Sequence, residues 1–235
     1  MSAATTAAPL LLSPMEGYAC WANSYDAAPN PLLKLEERTL APWLPPLRGA
    51  AVLDVGCGTG RWLSRLLADG ARAVGVDLSP AMLAVAAGKP HLGRCLVQGD
   101  LLHLPVRSRW FDMVLCSFVV EHCSHLDRLV GEIARITAPC GRVLISQLHR
   151  DAWQQGWRCR FHHGGGTVEV AGNPFSLEEL SAAFTRAGFR LQRRLAPHLG
   201  EEEQPIFAAA GRLHAFADAC RWPAILLCDF RREGP

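Results

Sequence analysis

Lysine is nearly missing from this 235-residue chain. Lys34 and Lys89 are the only two, so 22 of the 24 basic residues are arginine. The arginines are scattered, which reads as the codon usage of a GC-rich genome. Like charges form no long block, and 24 basic against 22 acidic residues leave a net charge of +2. The electrostatic footprint of a nucleic-acid binder is absent.

No two of the nine cysteines have CxxC spacing, and their number is odd. Cys116 and Cys228 fall inside apolar runs, FDMVLCSF and AILLCDF. A disulfide frame is excluded, and buried thiols in a reducing compartment are expected. No apolar stretch reaches the ~18 residues of a membrane span. The opening segment, MSAATTAAPLLLSP, has no basic residue and too short an apolar core for a secretory leader. The reading is a cytoplasmic protein with a disordered segment at residues 1–14 and one domain over 15–235. With 49% hydrophobic and 20% charged residues, that domain can bury a core.

A regular alternation begins at Ala50. Buried strands are expected at AAVLDVG, RAVGVD, CLVQGD, WFDMVLCSF and RVLIS, with helices between them. Ser79-Pro80 caps one helix, and another covers residues 126–137. This is the pattern of a parallel sheet covered on both faces. Before it, residues 15–48 form a helical cap in which Asn30-Pro31 starts a helix that Pro45-Pro46 ends. After it, residues 151–172 are Trp-, His- and Gly-rich and weakly periodic. Ser176 and Glu179 form a capping box, FRLQRRL is a sixth strand, residues 206–220 are helical and WPAILLCDF is a seventh strand. Residues 50–150 are the binding core, and 151–235 supply the remaining strands and a second wall.

The chemistry concentrates at strand ends. In VLDVGCGTG, Asp54 ends a buried strand, and Gly56, Gly58 and Gly60 open a helix. Glycines there let the backbone turn tightly and approach a ligand, and the helix N-terminus favours a carboxylate or phosphate. Asp77 ends the next strand, placed to accept both hydroxyls of a ribose. Asp100 ends the third, placed to meet the exocyclic amine of adenine. Three acidic strand ends around one glycine loop suit an adenosine ligand. The spacing GxGxG departs from the GxGxxG of NAD(P) oxidoreductases, and no Tyr-x-x-x-Lys pair is present.

With Asp54–Gly60, Val76–Ser79, Gly99–Leu101 and Phe111–Val114 in this order, the chain resembles the class I S-adenosylmethionine-dependent methyltransferases. These include ubiquinone/menaquinone-biosynthesis and malonyl-carrier-protein methyltransferases. The resemblance implies a Rossmann-like doubly wound α/β fold. Its seven-stranded sheet has an antiparallel last strand; the N-terminal helical cap and an insertion at 198–220, between strands 6 and 7, are read from the sequence itself. The resemblance also implies roles toward S-adenosyl-L-methionine. Gly56, Gly58 and Gly60 pass under the methionine part, Asp77 holds the ribose, and Leu78 and Met82 lie against adenine. Asp100 and Leu101 read the adenine edge, Ser117 and Phe118 line the region of the methyl group, and Tyr18 and Tyr25 lie over the cofactor. Either tyrosine also reads as simple aromatic packing. The Asn/Asp-Pro-Pro-aromatic signature of nucleic-acid amine methylation is replaced by Ser117-Phe118-Val119-Val120, so a nucleic-acid partner is not expected.

Methyl transfer from a sulfonium needs alignment and dryness above all, and a base for some acceptors. Glu121-His122 stands just past the fourth strand, and His122 is the candidate base; orienting the cofactor or the loop is its alternative role. His162 and His163 point to opposite sides of any strand and make a poor metal pair, so no metal is expected. Trp153, Trp157, Phe161 and the segment 198–220 wall an acceptor pocket suited to a small or lipid-like organic molecule. The expected function is methylation of a small organic acceptor. A lipid-like or carrier-bound acceptor is the alternative, and a regulatory protein that binds the cofactor without turnover is the alternative from another class. The sequence leaves the oligomeric state open.

Overall fold

The computed structural model describes residues 8–27 and 29–234. In chain order the elements are β1 (Leu10–Leu12), α1 (Pro14–Trp21), α2 (Pro31–Leu40), β2 (Ala51–Val55), α3 (Arg61–Ala68), β3 (Arg72–Asp77), α4 (Pro80–Ala87), β4 (Leu96–Gln98), β5 (Phe111–Ser117), α5 (Leu126–Ile136), β6 (Thr137–Leu148), α6 (Arg150–Gln154), β7 (Arg160–His163), β8 (Gly166–Val170), α7 (Leu177–Arg186), β9 (Phe189–Leu195), α8 (Gln204–Ala209), α9 (Phe216–Ala219) and β10 (Ile225–Arg232).

Seven strands form one sheet in the order β4-β3-β2-β5-β6-β10-β9. Strands β2 to β6 are mutually parallel, and β10 runs antiparallel to both β6 and β9. The chain grows outward from β2 in one direction through β3 and β4, then returns to β5 on the other side. The crevice of such a sheet lies beyond the carboxyl ends of these two central strands. Register sets Val55 beside Cys116 there.

Alternation along each strand feeds two cores, because both faces of the sheet are covered. Leu53, Val55, Val114 and Cys116 enter one, with Leu129, Val130, Ile133 and Ile136 of α5. Val52, Met113 and Leu115 enter the other, with Leu63 and Leu66 of α3 and Leu35 and Leu40 of α2. Apolar residues of α5 recur three and four apart, which gives that helix its single buried stripe. Caps fall where the sequence places them. Asn30 accepts from Leu32 N–H at 2.9 Å, Ser79 from Met82 N–H at 3.3 Å, and Ser176 and Glu179 close their box. Among the described residues no helix is long and apolar enough to cross a membrane.

Four readings change. Residues 1–7 of the expected disordered segment lie outside the described residues, but Leu10–Leu12 forms a parallel strand on β8 and Ser13 caps α1. Residues 151–172 contain the hairpin β7–β8, which with β1 makes a second, three-stranded sheet. Its turn passes through Gly164 and Gly165, with φ of 57° and 80°, values that suit a two-residue hairpin turn. The expected helix over 206–220 is split into α8 and α9, and Gly211, at φ 66°, stands between them. Asp100 lies past the end of β4, in a turn rather than at a strand end.

Candidate active site

After β2 the backbone turns through Gly56, Gly58 and Gly60, with φ of 69°, 54° and 82°. A Cβ at Gly56 would stand 2.4 Å from Val119 Cγ2, whereas one at Gly58 would meet nothing within 4 Å. Asp77 latches this turn. Its Oδ2 accepts from Gly58 N–H and its Oδ1 from Ser79 N–H, both at 2.8 Å. Gly56 N–H donates to Val76 O at 2.7 Å. Burial pushes the Asp77 carboxyl up in spite of these bonds. Each oxygen keeps a free lone pair for a ligand hydroxyl.

Asp54 is wholly buried, and its Oδ2 has no partner. Burial pushes its carboxyl up to about 7, while the Arg61 guanidinium pulls the other way. An orphaned carboxyl oxygen beside a positive-φ glycine turn with open space at Gly58 is a cradle for a ligand that brings its own N–H or O–H donors. The residues therefore fit the methionine and ribose parts of S-adenosylmethionine. Nearby, Leu78 is exposed, Met82 is buried in the first turn of α4, and Leu101 is half-buried. Asp100 is exposed, and its Oδ1 accepts from Leu102 N–H at 2.9 Å.

One functional residue escapes the sequence reading. Glu36 of α2 is wholly buried and pairs with Arg61, while Trp62 Nε1 and Ser117 Oγ donate to it at 3.0 and 2.7 Å, and Ser146 Oγ donates as well. The Ser117 hydroxyl is thus committed to Glu36. The signal was the helical spacing, since Glu36 lies four residues from both Leu32 and Leu40 and shares their face. Phe118 follows at φ 49°, a left-handed conformation costly for a bulky residue. Its N–H is held by Ser146 O at 3.0 Å.

Beyond β5 opens a cavity of about 1120 Å³. Of the sequence-predicted residues, Tyr18, Tyr25, Phe118 and His122 line it, as do Trp153, Trp157 and Phe161. The glycine turn, Asp77 and Asp100 lie outside it. Trp21 stacks on Phe161 at 4.6 Å and 5°, which builds a flat aromatic wall. Tyr18 Oη lies 2.9 Å from His122 Nε2, and His122 Nδ1 lies 2.7 Å from Ala171 O. Burial holds the His122 ring below its usual range and the Tyr18 and Tyr25 phenols above theirs. Glu121 is also on this wall. Its Oε1 accepts from Leu148 N–H at 3.3 Å, its Oε2 is buried without a partner, and burial pushes its carboxyl up to about 8. His162 lies on the cavity rim and His163 on the opposite side of β7, and no cluster of metal-ligating side chains occurs among the described residues.

Residues 53–145 match the methyltransferase domain family. The chain is 37% identical over 142 residues to the malonyl-[acyl-carrier protein] O-methyltransferase of Serratia marcescens, covering 57% of this chain and 54% of that protein. It is 37% identical over 103 residues to the demethylmenaquinone methyltransferase of Thermobifida fusca (strain YX), covering 42% and 44%. The chain spans about half the length of these curated relatives. The crystal structure of an S-adenosylmethionine dependent methyltransferase from Mesorhizobium loti shares the fold, with a TM-score of 0.67 at 22% identity over 84% of this chain and 97% of that one. Glycine turn and matched segment agree: residues 53–145 carry a methyltransferase domain, on the fold that the S-adenosylmethionine-dependent methyltransferases share.

Proposed function

We propose that this chain transfers a methyl group from S-adenosylmethionine to a small organic acceptor seated in the aromatic cavity. The observation that carries the reading is the adjacency of two unlike sites at the carboxyl ends of the central strands. One is the polar glycine turn latched by Asp77; the other is the aromatic cavity whose wall includes Phe118, Glu121 and His122.

When bound, S-adenosylmethionine supplies an activated methyl group on a sulfonium. Gly56, Gly58 and Gly60 let the backbone pass close beneath its methionine part, and the orphaned oxygen of Asp54 accepts from its donors. Asp77 accepts from the ribose hydroxyls, with Leu78 and Met82 on the adenine side and Asp100 and Leu101 at the adenine edge. Phe118 and Tyr25 form the seam between cofactor and acceptor. Trp21, Trp153, Trp157 and Phe161 exclude water and orient an apolar or flat acceptor. Alignment of this kind supplies up to about 7–11 kcal/mol of a barrier.

A carrier-bound or lipid-like acceptor is the second reading. The cavity, at about 1120 Å³, exceeds the ~300–1,000 Å³ common for small-ligand sites, and one relative is named for a carrier-bound malonyl group.

Calorimetric titration with S-adenosylmethionine, S-adenosylhomocysteine and NAD tests the cofactor. Binding of the first two and not the third is expected, and the reverse overturns the reading. Methyl-labelled S-adenosylmethionine incubated with fractionated cell extract tests the acceptor. Label among small molecules supports the first reading, and label in protein or lipid supports the second.

A further inference from the structure

Tyr18 belongs to the helical cap and His122 to the turn after β5, 104 residues apart in sequence, yet their side chains are joined at 2.9 Å. The direction of that bond follows from the other ring nitrogen. A carbonyl oxygen only accepts, so Nδ1 carries the proton and donates it to Ala171 O at 2.7 Å. Nε2 then holds a lone pair, and the Tyr18 hydroxyl donates to it. The basic nitrogen of His122 is therefore covered by Tyr18. Both residues line the cavity, and the Tyr18 oxygen lies 3.8 Å from the thiol sulfur of Cys159, which lines it too.

We propose that Tyr18 and His122 act as a two-residue proton relay, that the phenol oxygen of Tyr18 takes the acceptor's proton, and that the acceptor is a neutral hydroxyl compound of the phenol or enol class rather than a carboxylate. The proposal rests on the methyl-transfer reading above. As the acceptor oxygen bonds the methyl carbon, the carbon–sulfur bond breaks and its electron pair stays on sulfur. The acceptor's proton moves to the Tyr18 oxygen, and the proton of Tyr18 moves to Nε2. The positive charge lost by sulfur reappears as an imidazolium, steadied by the Ala171 carbonyl, and the extra proton leaves to solvent through the cavity mouth. A carboxylate acceptor has no proton to give, and the relay would be idle.

The surroundings agree. Burial keeps His122 neutral and Tyr18 protonated, the states a relay needs before reaction. Glu121, Tyr25 and Cys159 are the titratable groups that face Tyr18. Arg158 and Arg160, which flank Cys159, both turn to Glu169, at 3.7 and 2.7 Å. A carboxylate brought to this corner would be desolvated beside cations already engaged, and beside Glu121 whenever that group ionises. The Trp21–Phe161 stack offers a neutral aromatic hydroxyl compound a surface to lie on.

Two measurements test this. Nitrogen-15 NMR of the histidine rings in the ligand-free protein reads the relay directly. His122 is expected as the neutral Nδ1–H tautomer, with an Nε2 signal that moves in Tyr18→Phe. An Nε2–H tautomer, or an Nε2 signal indifferent to Tyr18→Phe, overturns the relay. Calorimetric titration of protein saturated with S-adenosylhomocysteine, using 2-naphthol and 2-naphthoate as probes, reads the acceptor class. Naphthol is expected to bind roughly ten-fold tighter than naphthoate, and Tyr18→Phe to remove most of that difference, the scale of one buried hydrogen bond. Naphthoate binding as tightly as naphthol, naphthol failing to bind, or naphthol affinity unchanged in Tyr18→Phe overturns the proposal. If S-adenosylhomocysteine itself fails to bind, the methyl-transfer reading falls and takes the proposal with it. If it binds while naphthol does not, this proposal alone falls.

Discussion

Glu36 and Arg61 form an ion pair that ties the helical cap to the first residue of the helix behind the glycine turn. The Glu36 carboxylate is wholly buried, and Trp62, Ser117 and Ser146 donate to it as well. One carboxylate thus joins α2, α3 and the ends of β5 and β6. Removing one partner of a buried pair leaves the other charge uncompensated, at about 3–5 kcal/mol. The Arg61 side chain keeps 29% exposure, so the lower end applies. Glu36→Ala is expected to lower the unfolding free energy by about 3 kcal/mol in urea titration. Glu36→Gln, which keeps an acceptor for the two serines, should lose less. Losses under about 1 kcal/mol for both would show that the cap is held by its leucines alone.

Asp77 has two jobs, and a substitution separates them. The carboxylate latches Gly58 and Ser79 through their N–H groups and is proposed to hold the ribose. Asp77→Ala is expected to weaken S-adenosylhomocysteine binding by about 1.5–3 kcal/mol, the range for hydrogen bonds to a charged group. Asp77→Asn keeps one acceptor oxygen and should fall between. An unchanged dissociation constant in a folded Asp77→Ala protein would remove the ribose assignment.

The central sheet was legible because its parallel strands contain short apolar runs bounded by turn residues, and because α3, α5 and α7 each carry one apolar stripe. Periodicity reports burial, and here burial follows the sheet. The hairpin β7–β8 was hidden because only Phe161, Val168 and Val170 along it are buried, too few to show alternation. The paired glycines of its turn were the remaining signal. Leu10–Leu12 was hidden for another reason: a three-residue strand gains its bonds from β8 in the distant 166–170 segment, and no local pattern encodes that. At the site, strand-end aspartates and glycines were readable because their chemistry is local. Glu36 was not read, since an isolated glutamate in a helix reads as solvent-facing unless its face is counted. The partnership of Tyr18 with His122 needs the fold to bring two distant segments together.

Gly56 is where close packing fixes residue choice most tightly. An added Cβ would lie 2.4 Å from Val119 Cγ2 at a φ of 69°. Gly56→Ala therefore meets both a clash and a left-handed backbone, with a combined cost of about 2–4 kcal/mol. The double substitution Gly56→Ala/Val119→Ala relieves the clash and keeps the backbone cost. Recovery of part of the lost stability, read from thermal unfolding, is the expected outcome. No recovery would assign the whole loss to φ, and complete recovery would assign none of it there.

Among the carboxyls that burial pushes up, Asp77 included, Asp54 and Glu121 move furthest, to about 7 and about 8, and lead the pH dependence of stability. In the unfolded chain both ionise near their ordinary values, 3.8 and 4.5. Between those values and the folded ones, the native state holds protons that the unfolded state has lost. Stability must then fall as pH rises through that window. Glu132, held down by its hydrogen bond from Arg135, acts in the opposite sense and loses its contribution only as pH falls into the acid range. His122, held neutral by burial, also opposes the trend below its ordinary value of 6.5. A single titration curve therefore mixes signs, and a difference curve isolates Glu121. Glu121→Gln removes the titrating proton and keeps the shape. Its unfolding free energy relative to wild type, measured in urea without cofactor, should rise steadily from pH ~5 to pH ~8 and level off above. A flat difference across that range would mean that Glu121 ionises freely in the folded protein and does not stand as a buried, protonated carboxyl at the cavity wall.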